Sequence, residues 1–314
     1  MFDKRFIKNA IDRSAESEWD RRRFLTAAGI AGVGVGVSAL TTGGASRDVA
    51  MAAASGAVTD GAVLNFALNL EYLEAEFYSQ AVYGHGLPAS LRTGKGKQGP
   101  VTGGHAVPFK TDRLKEIATQ IAQDEKNHVS FLRTALGSAA VSEPAINIKE
   151  SFTAAAMAAG LITKGQTFDP YASEENFLLG AFVFEDVGVT AYKGAAPLIS
   201  NKTYLEAAAG ILAVEAYHAG IIRTEILEKG LASSANKITA ARDSLDGPSD
   251  LDHALTRNGG TAFLVPTHNS ASIVDSRSTA QVLNIVYLNP AKVTQGGFFP
   301  AGVNGTFRES GDND

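Results

Sequence analysis

Two stretches of this chain repeat one spacing of a carboxylate and an imidazole, Glu125-Lys126-Asn127-His128 and Glu215-Ala216-Tyr217-His218. On an α-helix, positions i and i+3 are neighbours on one face, so each pair can offer an oxygen and a nitrogen to a single ion. With 6 histidines in 314 residues, chance spacing gives about 0.3 such pairs. One pair alone reads as a solvated helix face. Two pairs, each inside a helical stretch, read as a metal-ligating pattern.

Carboxylates inside apolar runs supply the rest of a donor set. Glu71, followed by Glu74, lies in Leu70-Glu71-Tyr72-Leu73-Glu74-Ala75-Glu76-Phe77-Tyr78, and Glu185 lies in Ala181-Phe182-Val183-Phe184-Glu185-Asp186-Val187-Gly188-Val189. A buried carboxylate without a partner is costly, so Glu185 calls for a partner. A tyrosine follows each glutamate by seven residues, Tyr78 after Glu71 and Tyr192 after Glu185. Two helical turns return to nearly the same face, about 10 Å further along the axis. Each half of the chain therefore runs glutamate, tyrosine, then a helix with Glu-x-x-His.

The tyrosine spacing favours Glu71 over Glu74 as the ligand, with Glu76 facing water. Tyr78 and Tyr192 are expected in the core, their hydroxyls bonded to a carboxylate across the bundle. Asp124 and Asp186 sit about 100° round the helix from the ligands beside them; they are expected in solvent, with a supporting role to the ligands left open. His85, His105, His253 and His268 fall in loops and read as surface residues.

Four helices must position these side chains. Helix one runs from about Ala62 to Tyr83, after Thr59-Asp60 and up to Gly84; helix two runs from a Thr111 cap to Gly137. Ser173 with Glu174 and Glu175 opens helix three, which passes Tyr192 and stops near Gly194 and Pro197; helix four spans about Asn201 to Lys229, before Gly230. Residues 84–110 read as a long surface loop. Residues 138–172, with a short helical piece around Glu150 to Ala159, are long enough to cross a bundle. This predicts an all-α four-helix bundle with one long crossover over residues 55–230. Residues 231–314 read as a mostly irregular extension packing on it, with a short fifth helix at Thr279–Leu288 stopped by Asn289-Pro290.

Composition excludes several alternatives. The 33 Asp and Glu against 28 Lys and Arg, net charge -5, argue against a nucleic-acid partner. The absence of cysteine removes disulfides, iron–sulfur clusters, thiolate zinc sites and thiol nucleophiles, so a metal must be held by His, carboxylate or carbonyl groups. Gly94-Lys95-Gly96-Lys97-Gln98-Gly99 matches a dinucleotide-binding spacing but follows no strand and runs into Pro100.

Four glutamates and two histidines from four helices resemble the donor set of ferritin-like di-iron and di-manganese carboxylate proteins. Leu64-Asn65 through Tyr78 resembles the first helix of bacterioferritins and rubrerythrins. That resemblance implies two iron or manganese ions. Glu71 and Glu185 would be terminal ligands, Glu125 and Glu215 bridging carboxylates, and His128 and His218 the imidazoles. A further resemblance, to exported ferritin-like proteins related to plant desiccation-related proteins, is carried by Leu70–Tyr78, by Val187-Gly188-Val189-Thr190-Ala191-Tyr192, and by Gln281–Tyr287 with Gly296-Gly297-Phe298-Phe299-Pro300. It covers most of residues 60–305. The function implied is reaction with peroxide or oxygen, as in a manganese catalase or a ferroxidase, in stress protection. The alternative is a non-catalytic structural protein whose site is empty or holds zinc; a homo-oligomer is left open.

Residues 1–54 resemble a twin-arginine export signal. Lys4, Arg5, Lys8 and Arg13 precede Arg21-Arg22-Arg23-Phe24-Leu25, and a glycine-diluted apolar run ends at Leu40. Ala50-Met51-Ala52-Ala53-Ala54 offers a cleavage site. The expected partner is the twin-arginine translocase, and the expected location is periplasmic or otherwise exported.

Overall fold

The computed structural model describes residues 58–257, 260–266 and 272–313; the signal-like segment and His268 lie outside the described residues. Eight α-helices form among them. α1 (Asp60–Tyr83) begins where Thr59 Oγ1 accepts the Ala62 amide at 3.2 Å and ends at Gly84, whose φ of 70° suits glycine. α2 (Ala89–Arg92) is one turn, and α3 (Asp112–Leu136) follows. α4 (Glu150–Ala158) lies in the crossover to α5 (Glu174–Ala195), which Ser173 caps through the Asn176 amide at 3.2 Å. α6 (Lys202–Glu228), α7 (Ala232–Asp243) and α8 (Thr279–Tyr287) complete the set. The four long helices are those the sequence predicts, and the fold is an all-α bundle.

Burial separates the long helices into two kinds. α1 and α5 are buried on nearly every face, from Val63 to Ala81 and from Phe177 to Tyr192, as expected of central helices. α3 buries one stripe, Leu114, Ala118, Ile121, Ala122, Glu125, His128, Val129 and Leu132, at the three-and-four spacing of a helix face. α6 does the same through Ala208, Ile211, Glu215, His218, Ile222 and Ile226. The Glu-x-x-His pairs therefore lie within the inward stripes.

The two long connections are zipped to each other. β1 (Val101–Thr102) pairs in parallel with β2 (Ile146–Asn147), and Lys95 exchanges backbone bonds with Ala140 and Ser142 at 2.9 and 2.8 Å. The 84–110 segment, expected as a surface loop, is thus tied down along the crossover. At one end of the bundle the Glu174 carboxylate accepts the Lys110 and Thr111 amides, both at 2.6 Å, and Lys229 Nζ at 2.7 Å. It links the starts of α3 and α5 to the end of α6.

Beyond α6 the sequence predicts a single helix, and the described residues contain two. α7 was not legible because Ala232–Asp243 buries only Ala235, Ile238, Thr239 and Arg242, too little apolar area for a clear stripe. A two-residue antiparallel pair, β3 (Thr256–Arg257) with β4 (Thr261–Ala262), follows. Arg277 is fully buried: it donates to Thr190 Oγ1 at 2.8 Å and Asp246 Oδ2 at 2.7 Å, and also to Asp252. The glycine-rich tail is pinned to α1, where Asn304 N donates to Asn69 Oδ1 at 2.9 Å and Asn69 Nδ2 donates to Asn304 O at 2.8 Å.

Candidate metal centre

All six predicted ligands converge between α1, α3, α5 and α6. One donor atom each from Glu71, Glu125, His128 and Glu215 lie within 4.8 Å of one another, and Glu125, Glu185 and His218 form a second such group. Glu125 belongs to both. Glu215 groups with Glu71 and His128. His128 Nδ1 lies 3.2 Å from Glu71 Oε2, 3.4 Å from Glu125 Oε2 and 3.6 Å from Glu215 Oε1; His218 Nδ1 lies 3.0 Å from Glu125 Oε1 and 3.7 Å from Glu185 Oε2. The four glutamates are at most 1% exposed, whereas His128 is 8% exposed, so the imidazole edge between α3 and α6 is nearest to solvent.

The two tyrosines cross the bundle in opposite directions. Tyr78 on α1 donates to Glu185 Oε1 on α5, and Tyr192 on α5 donates to Glu71 Oε1 on α1. Each hydroxyl holds one oxygen of that carboxylate and leaves the second facing the imidazoles. Asp124 Oδ2 lies 3.3 Å from His218 Nε2, which holds the ring with Nδ1 turned toward the glutamates. Glu74 is buried beside the cluster, and Gly188 makes room for Glu215: a Cβ there would stand 2.3 Å from Glu215 Oε2. α8 covers this side with Val282, Ile285 and Val286, which line a crevice reaching Glu74.

The electrostatics are those of an anionic cluster taken out of water. Burial pushes Glu71 up to about 7, against the pull of His128, and pushes Glu185 up to about 8. Burial and neighbouring carboxylates also drive Glu74 and Glu215 well above the usual range. Burial alone would raise Glu125 and lower His218; instead the two imidazoles hold Glu125 below the usual range, and Glu185, Asp124 and Glu125 push His218 up to about 10. Among the described residues, both oxygens of Glu125 and of Glu215, Glu185 Oε2 and His218 Nδ1 are buried without a hydrogen-bond partner. Such a set of orphaned donors fits metal ions, which satisfy buried carboxylates and imidazoles together.

These shifts have a pH consequence. A carboxyl whose folded pKa exceeds its unfolded value of 4.5 contributes stability at low pH and loses it as pH rises through the folded value, here about 7 and about 8. His218, raised from 6.5 to about 10, loses its contribution above 6.5, in the same direction. The depressed Glu125 contributes equally throughout pH 5 to 8. Chelator-treated protein is therefore expected to melt roughly 5 °C lower at pH 8 than at pH 5. A melting curve that is flat or rises with pH would contradict this electrostatic account.

Three expectations are corrected. Glu76 does not face water: it is 1% exposed, accepts the Leu87 amide at 2.9 Å and meets Glu143, which burial and Glu76 push up to about 8 and Arg92 binds at 2.7 Å. Gly86 passes so close that a Cβ would overlap Glu76 Oε2. Asp186 is buried against Arg223 at 2.7 Å and Arg242 at 3.1 Å, whereas Asp124 is half exposed. His253 is not a surface residue, because its ring is enclosed and paired with Asp275 at 2.7 Å. His85 is exposed, and so is His105, which pairs with Asp169 at 2.9 Å. Sequence reasoning also missed Arg223, Arg242 and Arg277; an arginine inside the apolar stretch Gly220-Ile221-Ile222-Arg223 was the available signal.

The profile of the ferritin-like domain family matches residues 59–228. The chain belongs to that family. This ferritin-like protein is 32% identical over 198 residues to "Desiccation-related protein PCC13-62" of Craterostigma plantagineum, covering 60% of its own length and 62% of that relative's. It is 27% identical over 266 residues to "Ferritin-like catalase Nec2" of Nesocodon mauritianus, covering 77% and 83% of the two chains. No solved structure matches.

Proposed function

We propose that this ferritin-like protein is exported, holds two iron or manganese ions, and consumes hydrogen peroxide or dioxygen at that centre. The observation that carries the reading is the buried, unpartnered Glu125 common to both donor groups. Glu71, His128 and Glu215 would hold one ion and Glu185 with His218 the other, with Glu125 reaching both. Hard oxygen donors with one imidazole on each side suit iron or manganese. Bound, the ions would supply Lewis acidity and a two-electron couple.

The chain's own residues set the conditions. Tyr78 and Tyr192 orient Glu185 and Glu71, Asp124 orients His218 so that Nδ1 faces the glutamates, and the apolar walls of α1, α5 and α8 exclude bulk water. Glu71 and Glu185 must give up protons as ions enter, so loading strengthens with pH. The name of the catalase relative supports peroxide as the oxidant. The desiccation-related relative favours a second reading, a non-catalytic protein with an empty or zinc-filled site.

Elemental analysis of protein purified from cells, with peroxide turnover, separates the two. Two iron or manganese ions per chain and turnover above that of free metal are expected; zinc or no metal, without turnover, supports the second reading. For export, replacing Arg21 and Arg22 by lysine is expected to retain the protein in the cytoplasm. Unchanged secretion of that variant would end the twin-arginine assignment.

A further inference from the structure

We propose that the turn after α7 binds a calcium-type divalent cation through Asp243, Asp246 and Asp252. One oxygen from each lies within 4.8 Å of the others, and none of the three belongs to the centre described above. An ion bound at the Ca–O distance of roughly 2.3–2.6 Å can reach oxygens up to about 5 Å apart, so this spacing admits one ion.

A second observation points to a ligand. Asp246 is 1% exposed, and among the described residues its Oδ1 is buried with no hydrogen-bond partner, as is Oδ1 of Asp243. The arginines do not meet this demand. Arg277 Nε donates to Asp246 Oδ2 at 2.7 Å, and Arg242 Nε stands 2.7 Å from Asp252 Oδ1 as an ion pair. Those ion pairs hold two of the carboxylates in place but leave the free oxygen of Asp246 unsatisfied. Asp243 has no arginine ion pair among the described residues.

The donor set is all oxygen, without imidazole or sulfur, which selects calcium or magnesium over the transition metals. Three grouped carboxylates, Asp243, Asp246 and Asp252, within the ten residues 243–252 favour calcium, because magnesium keeps most of its waters. The turn also carries the partners of Arg242 and Arg277, which reach Asp186 and Thr190 on α5. A bound ion would fasten the extension to the bundle close to Glu185 and raise the stability of the folded chain.

The test uses the full chain, stripped with chelator and titrated with calcium chloride by calorimetry and thermal melting. One calcium ion per chain and a melting temperature several degrees higher at about 1 mM calcium are expected. Asp243→Asn is expected to weaken calcium binding at least about tenfold while leaving the calcium-free melting temperature unchanged. Glu125→Ala is expected to keep the calcium response, which separates this site from the iron or manganese centre. No calcium response in the wild type, an undiminished response in Asp243→Asn, or its loss in Glu125→Ala would each overturn the proposal.

Discussion

Glu125→Ala is expected to empty both donor groups at once, lowering iron or manganese from about two ions per chain to below about 0.2, with peroxide turnover down at least about 100-fold. The reason is geometric. Glu125 supplies a donor atom to the group of Glu71, His128 and Glu215 and also to that of Glu185 and His218, and neither of its oxygens has another partner. Glu185→Ala removes a donor from only one group and is expected to leave about one ion bound. Metal content of both variants, measured on protein whose helical circular dichroism matches the wild type, checks the contrast. Retention of a full ion by Glu125→Ala would show that the two groups do not depend on a common ligand.

Arg277→Met is expected to cost about 3–5 kcal/mol of folding stability, a melting temperature roughly 10 °C lower. The guanidinium is fully buried and engages Thr190, Asp246 and Asp252. Without it, two carboxylates stay in the interior with much of their compensation gone. Adding Asp246→Asn to that variant should restore part of the loss, because the penalty lies in the uncompensated charge. Urea unfolding of the two variants gives the comparison. A loss below about 1 kcal/mol in Arg277→Met would mean that the network contributes little.

What was legible in the chain follows from periodicity and local chemistry. The Glu-x-x-His spacing needs only one helix to bring its members together, so Glu125 with His128 and Glu215 with His218 could be read directly. Thr59, Gly84 and Ser173 are local stop and start signals and mark the observed helix ends. Glu76 and Asp186 were misread because their burial depends on residues far along the chain: Glu143 and Arg92 for one, Arg223 and Arg242 for the other. A helix face says where a carboxylate points, but not whether a distant cation has come to meet it. The same limit hid the three arginines, whose partners lie 37 to 87 residues away for Arg223 with Asp186 and Arg277 with Thr190.

The crossed tyrosines have a consequence for how the molecule can be divided. Tyr78 stands on the segment that carries Glu71 yet serves Glu185, and Tyr192 does the converse. Neither helical hairpin, cut free, would keep its own buried glutamate aligned, since the hydroxyl that steadies it departs with the other piece. Two separated fragments would thus form an ordered pocket only on docking, each completing the other's carboxylate.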